Sequence, residues 1–226
     1  MCSRYSLICS PDDLCRAFGS FEVEDFPPRY NIAPSQPVLI LRASVKGGPE
    51  FQLVRWGLIP SWSKDPAKLS MLVNARAETA AEKPSFRGAM RHRRCLIPTT
   101  GYYEWTGARG SRQPHLIKVA DRPVFAMAGL WEGWLGADGS EIETMAILTT
   151  AANPDVAAIH DRMPVIVAPE HYERWLDCSS GSENGVLDLL GPPPTGRMTV
   201  LAINPKLNDP RAEGPDLHQS PNPTLL

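Results

Sequence analysis

Residues 94–150, RCLIPTTGYYEWTGARGSRQPHLIKVADRPVFAMAGLWEGWLGADGSEIETMAILTT, decide the fold. Five segments rich in β-branched, aromatic and aliphatic residues (RCLIP, GYYEW, PHLIKVA, PVFAMAGLWE and IETMAILTT) follow one another, separated by short runs of Gly, Asp, Ser, Arg and Pro. Each has the length of a strand rather than a helix.

Further strands extend this core in both directions. VLILRASV and FQLVRWGL flank a KGGPE turn upstream, and PVIV and MTVLAI lie downstream. Helices are short and sparse. Ser10-Pro11 supplies an N-cap and a first-turn proline for DDLCRAF, and Pro169 opens EHYERWLD. Residues 76–94 read as two helical pieces broken at Pro84, Asn153-Pro154 caps DVAAIH, and GVLDLL is a further candidate. About nine strands against a few short helices predict an α+β fold with a curved, mainly antiparallel, barrel-like β core.

The chain has 226 residues, 42% of them hydrophobic and 21% charged, which fits one domain able to bury a full core. Its 23 prolines are about twice the usual share and favour stiff turns over a helical bundle. Beyond Asn204 the sequence becomes polar and proline-punctuated. The expected organisation is a domain over 1–208 and an extended or disordered tail over 209–226. A net charge of -2 excludes a globally basic nucleic-acid coat and leaves room for a local groove. No apolar run is long enough for a membrane span and no secretory signal is visible, so an intracellular protein, cytoplasmic or nucleoid-associated, is expected. A monomer is the default expectation.

Five cysteines form no C-x-x-C pair. Cys9, Cys15, Cys95 and Cys178 read as small buried apolar residues. Cys2 differs, because its small side chain lets an aminopeptidase remove Met1. The mature chain then presents an α-amine of pKa about 7.7 to 8.0 beside a thiol of about 8.5, a 1,2-aminothiol. Arg4 in CSRY, if the segment is extended, points to the same side. Asn74 and Arg76 alternate in LVNARAET, Glu104 lies among aromatics in GYYEW, and His160, Asp161 and Arg162 occupy AIHDRMP. Locally, Glu104 is equally compatible with a solvent-facing strand carboxylate, His160 with a helix C-terminal histidine, and Asn74 with a turn residue.

KPSFRGAMRHRRC, residues 83–95, carries Lys83, Arg87, Arg91, Arg93 and Arg94 without an acid. In a helix, Arg87, Arg91 and Arg94 share a face, which suits a phosphate backbone as well as a solvated helix surface.

The segments MCSRYS, RYNIAPSQ, WGLIPSWSKD, NARAET, RCLIPTTGYYEW, FAMAGLWE, ILTTAAN and IHDRMPVIV, in this order and spacing, closely resemble the SOS response-associated peptidase (SRAP) family over residues 2–208. Ser3 departs from the glycine common there. The resemblance implies recognition of abasic sites in single-stranded DNA and covalent attachment to them. By motif it assigns Cys2 as the crosslinking residue and Asn74, Glu104 and His160 as the rest of the active site. It places Arg4, Arg76 and Arg162 on DNA phosphates, and Pro34 and Trp62 on a stacking surface beside the lesion. Neither a metal nor an organic cofactor is implied.

The residue chemistry supports the same reaction. An uncharged amine attacks the aldehyde of a ring-opened abasic sugar to give an imine, and the neighbouring thiol closes a thiazolidine. Glu104 suits the proton transfers, His160 the sugar hydroxyl or phosphate, and Asn74 an uncharged orienting role. Two competing readings are a thiol peptidase pairing Cys2 with His160, and a noncovalent single-strand-binding module in which Cys2 is incidental.

Overall fold

The computed structural model describes residues 2–19, 23–44, 47–108 and 110–221. Strand β1 (Tyr5–Leu7) leads into α1 (Pro11–Phe18), then β2 (Arg29–Ile32), β3 (Pro37–Ala43), β4 (Pro49–Trp56) and β5 (Asn74–Arg76). Helices α2 (Ala77–Ala80) and α3 (Arg87–His92) precede the central run β6 (Arg94–Thr99), β7 (Gly101–Thr106), β8 (Gln113–Val119), β9 (Phe125–Leu135) and β10 (Glu141–Ala151). Then come β11 (Arg162–Pro164), β12 (Ile166–Val167), α4 (Tyr172–Leu176) and β13 (Met198–Ala202).

The pairings of β4, β3, β6, β9 and β10 close into a ring: β3 joins β4 and β6, β9 joins β6 and β10, and β10 returns to β4. Only the β10–β4 seam is parallel, so the barrel is mixed though mainly antiparallel. A ring leaves no free edge among its five members, and each inward side chain meets others across the axis. Strands β11 and β5 add to β10, and β12 adds to β9. A second, antiparallel sheet runs β13-β8-β7-β1-β2. This is the expected α+β, barrel-like architecture. The core between these elements includes Trp56, Trp175, Tyr5, Tyr102 and Phe125, all nearly inaccessible. Trp56 donates to Val73 O at 2.9 Å and Trp175 to Cys95 O at 2.8 Å, so burying either indole orphans no donor.

The helix break around Pro84 is present, and Ser10 caps α1 in a reciprocal box with Asp13. DVAAIH makes only hydrogen-bonded turns, closed by Ala157 and His160 amides on Asn153 and Val156 carbonyls, rather than a helix. GVLDLL belongs to a 3-10 segment, Asn184–Leu190, rather than an α-helix.

The expected free tail after residue 208 is corrected. Residues 209–221 continue a segment that folds back on the second sheet, where Leu207 and Leu217 bury against Tyr103, Leu116 and Ile203. Glu213 accepts from the Tyr30 and Asn31 amides, and the Asn31 side chain donates to Asp209 O and Ala212 O. Two leucines and a set of backbone bonds therefore outweigh the polar composition that suggested disorder. Residues 222–226 lie outside the described residues. Among the described residues no helix is long and apolar enough to cross a membrane.

Candidate active site

Strand pairing assembles the site from distant segments. Antiparallel register sets Tyr5 opposite Tyr102, which brings the residues before β1 alongside the end of β7. On β10, Ile147 and Thr149 pair with Asn74 and Arg76 of β5, while Ala151 pairs with Arg162 of β11. One strand thus carries both the NAR and HDR motifs.

Cys2 is fully buried. Asn74 Nδ2 donates to the Cys2 carbonyl at 2.8 Å, fixing the backbone there, and Asn74 Oδ1 is buried without a hydrogen-bond partner among the described residues. The Cys2 thiol donates to Arg4 O at 3.7 Å. Burial, reinforced by the Glu104 charge, pushes this thiol well above its usual range, against a smaller pull from the chain's amino-terminal charge. It is held as S–H, the opposite of the thiolate that a cysteine peptidase needs.

Glu104 is 3% exposed, which excludes the solvent-facing reading. Burial raises its carboxyl to about 7, opposed by the amino-terminal charge and slightly aided by Asp161. An acid balanced there can give and take a proton near neutrality.

His160 sits at the end of the 154–159 turns, and burial lowers its pKa. Its Nδ1 accepts the Arg162 amide at 2.9 Å, although Asp161 Oδ1 lies 2.8 Å from the same nitrogen. The two contacts ask opposite things of Nδ1: as acceptor for the strand amide it leaves the ring proton on Nε2, whereas toward the 86% exposed Asp161 it would carry the proton. The Glu104 charge acts on the Cys2 thiol and the Asp161 charge on Glu104, so Cys2, β7 and the segment next to His160 lie close together.

Residues 1–210 match the family described as SOS response associated peptidase (SRAP). The chain belongs to the SRAP family. It is 37% identical to "Abasic site processing protein YoqW" of Bacillus subtilis, covering 97% of this chain and all of that protein. With "Abasic site processing protein HMCES" of Gallus gallus it shares 31% identity over 74% of this chain and 59% of the relative. A crystal structure of a Bacteroides thetaiotaomicron protein superposes with a TM-score of 0.86 at 31% identity, covering 97% of this chain and 99% of that one. The SRAP fold is therefore shared.

Within the SRAP domain the arginines differ in availability. Arg76 is exposed and has no ion-pair partner among the described residues. Arg162 forks onto Glu78 at 2.5 and 2.8 Å and also donates to Thr149 O. Arg4 does not share a side with Cys2, because the regular strand starts only at Tyr5. Cys2 joins the main core, whereas Arg4 donates to Asn31 Oδ1 and Leu207 O and lies 5.8 Å over the Trp105 ring.

Pro34 and Ser35 form the turn from β2 to β3, with Ser35 at φ 72 and its amide tied to Trp56 O at 2.8 Å. Proline followed by a left-handed residue fits a type II turn, where glycine is the usual second residue. Trp62 is 57% exposed, with its indole on Pro84 O at 3.3 Å. With Arg87 and Arg91 it lines a cleft of about 250 Å³.

The basic run is less positive than its sequence. Arg91 pairs with Glu183 and Arg93 with Glu132. Arg94 is corrected from phosphate face to core: it is 2% exposed and donates to the carbonyls of Met90, Trp175 and Asp177. Of the other cysteines, Cys9 and Cys95 are buried as expected, whereas Cys15 and Cys178 are only partly so. Sequence reasoning gave Tyr102 no role of its own and passed over Asn31. The alternation that puts Tyr102 on the Glu104 face was the available signal for the first.

Proposed function

We propose that this protein recognises abasic sites in single-stranded DNA and, after removal of Met1, joins Cys2 to them as a thiazolidine that shields the lesion. The observation that carries the reading is the placement of Cys2: its carbonyl is held by Asn74 and its protonated thiol lies near a buried acid balanced at about 7. The names of the relatives, both abasic site processing proteins, support the same substrate.

The reaction follows from these groups. The neutral α-amine attacks the sugar aldehyde, a C–N bond forms, and the carbonyl electrons move to oxygen. Glu104 relays the two amine protons to that oxygen one after the other, so that it leaves as water and a neutral imine remains. Sγ then bonds to the imine carbon as its proton moves to nitrogen. Aldehyde and aminothiol become thiazolidine and one water, with no oxidant or reductant. Closing the ring consumes the imine that would otherwise lead to strand cleavage by elimination. His160 suits the opened sugar's hydroxyl or a phosphate.

Arg76, exposed beside Asn74, is the readiest phosphate contact, followed by Arg87. Arg4 and Arg162 would engage DNA only by sharing or exchanging their present partners. Pro34 and Trp62 offer rigid apolar surfaces for bases. In the chain that still carries Met1 the Cys2 thiol is driven away from ionisation, so no thiolate is preformed there for a peptidase reaction.

The test mixes protein of confirmed free Cys2 amino terminus with a single-stranded oligonucleotide bearing one abasic site. Denaturing electrophoresis and intact mass should reveal a borohydride-independent adduct, lighter than its two components by one water. Cys2→Ala should abolish it. An adduct that survives in Cys2→Ala, or none with the wild type, overturns the reading.

A further inference from the structure

Buried aromatic residues in this protein generally satisfy their polar tips. Trp56 and Trp175 donate to carbonyls, and Tyr103, whose ring packs in the small second core, donates to Tyr30 O at 2.6 Å with His218 Nε2 beside it. Tyr102 differs from these three. It is completely inaccessible, and its hydroxyl oxygen has no hydrogen-bond partner among the described residues. A hydroxyl in that state costs the fold its desolvation and returns nothing, so phenylalanine would suit the position better on stability alone.

Its place gives the reason. Tyr102 and Glu104 alternate on β7 and face the same side. Tyr102 stands opposite Tyr5 and packs in the same core cluster as Cys2. The Cys2 thiol and the Glu104 carboxylate are both close enough to add to the effect of burial on the phenol, which keeps its proton well beyond neutral pH. A second orphan polar atom, Asn74 Oδ1, belongs to the residue bonded to the Cys2 carbonyl. Two buried polar atoms without protein partners among the described residues, both on residues that neighbour Cys2, are available to a reacting molecule there.

We propose that the Tyr102 hydroxyl is a catalytic hydrogen-bond donor to the sugar oxygen that gathers negative charge when the Cys2 amine attacks the opened abasic deoxyribose. This rests on the abasic-site reading above. Tyr102 keeps its proton throughout: the C–N bond forms, the carbonyl electron pair settles on oxygen against the phenol O–H, and Glu104 relays the two amine protons to this oxygen in turn, the first making it a hydroxyl and the second letting it depart as water. Glu104 moves protons and Tyr102 stabilises charge, so the two roles are separable.

Tyr102→Phe removes one oxygen atom and leaves the ring in place. Single-turnover crosslinking to an abasic single-stranded oligonucleotide should slow about ten- to a hundredfold. The adduct mass, the affinity for an intact oligonucleotide and the position of the pH inflection should not change, and the melting temperature should be equal or higher. A Tyr102→Phe rate equal to wild type overturns the proposal. So does a shifted pH inflection, which would make Tyr102 act through Glu104, or loss of a cooperative melt, which would make the hydroxyl structural. A wild-type protein that forms no Cys2-dependent adduct refutes the abasic-site reading itself, an outcome distinct from all of these.

Discussion

Asn74 Nδ2 donates to the carbonyl of Cys2 across 72 residues of sequence, tying the start of the chain to β5 at 2.8 Å. A nucleophile at a chain end is otherwise free to fray, and a fixed carbonyl restricts the positions its amine can take.

Asn74→Ala should therefore slow single-turnover crosslinking about tenfold while leaving affinity for an intact single-stranded oligonucleotide unchanged. Asn74→Asp should be slower still, because it replaces the donor by a charge beside Glu104. Equal losses in binding and rate for Asn74→Ala would contradict the orienting role.

Glu104 links pH to stability with a definite sign. Its folded pKa, about 7, lies above its unfolded value, so the folded state binds more protons and stability falls as pH rises from about 4.5 through about 7. Near pH 8 the penalty is on the order of 3 kcal/mol. Glu104→Gln should remove this slope in urea titrations at pH 5 and pH 8 and resist urea better than wild type at the higher pH. The same variant should crosslink slowly at every pH.

Arg94 should be among the most costly residues to remove. Replacing it by Met leaves the carbonyls of Met90, Trp175 and Asp177 without this donor in a buried place, at a cost of about 3 kcal/mol or more. Thermal unfolding should show this directly, with little change in the salt dependence of DNA binding.

The two exposed arginines of α3 should differ. Arg87→Glu should weaken binding to single-stranded DNA and lower the slope of log affinity against log salt by about one. Arg91→Glu should do less, because Glu183 already offsets that charge. Unchanged salt dependence in Arg87→Glu would remove this helix from the DNA surface.

The barrel was legible because its strands are long enough to display their composition, as in PVFAMAGLWE and IETMAILTT. Strands β1, β2 and β5 have three or four residues, too few to show alternation, and only their partners define them. The docked C-terminal segment escaped notice because Leu207 and Leu217 are isolated apolar residues in a polar stretch. At the site, Cys2, Asn74, Glu104 and His160 could be named from motifs. The depth of Cys2, the diversion of Arg4 to Leu207 and the pairing of Arg162 with Glu78 depend on contacts between segments far apart in the chain.

The bond from Arg4 to the Leu207 carbonyl bears on biosynthesis. A nascent chain emerges amino terminus first, and the residue that completes the Arg4 cradle follows 203 residues later. Until β7 and Leu207 arrive, the first residues have nowhere to settle. The window for an aminopeptidase to clip Met1, which the proposed chemistry requires, is thus the period of synthesis. On that proposal the aminothiol is unveiled first and sheltered afterwards, so a truncation before Leu207 should yield protein whose Cys2 stays open to cellular aldehydes and oxidants.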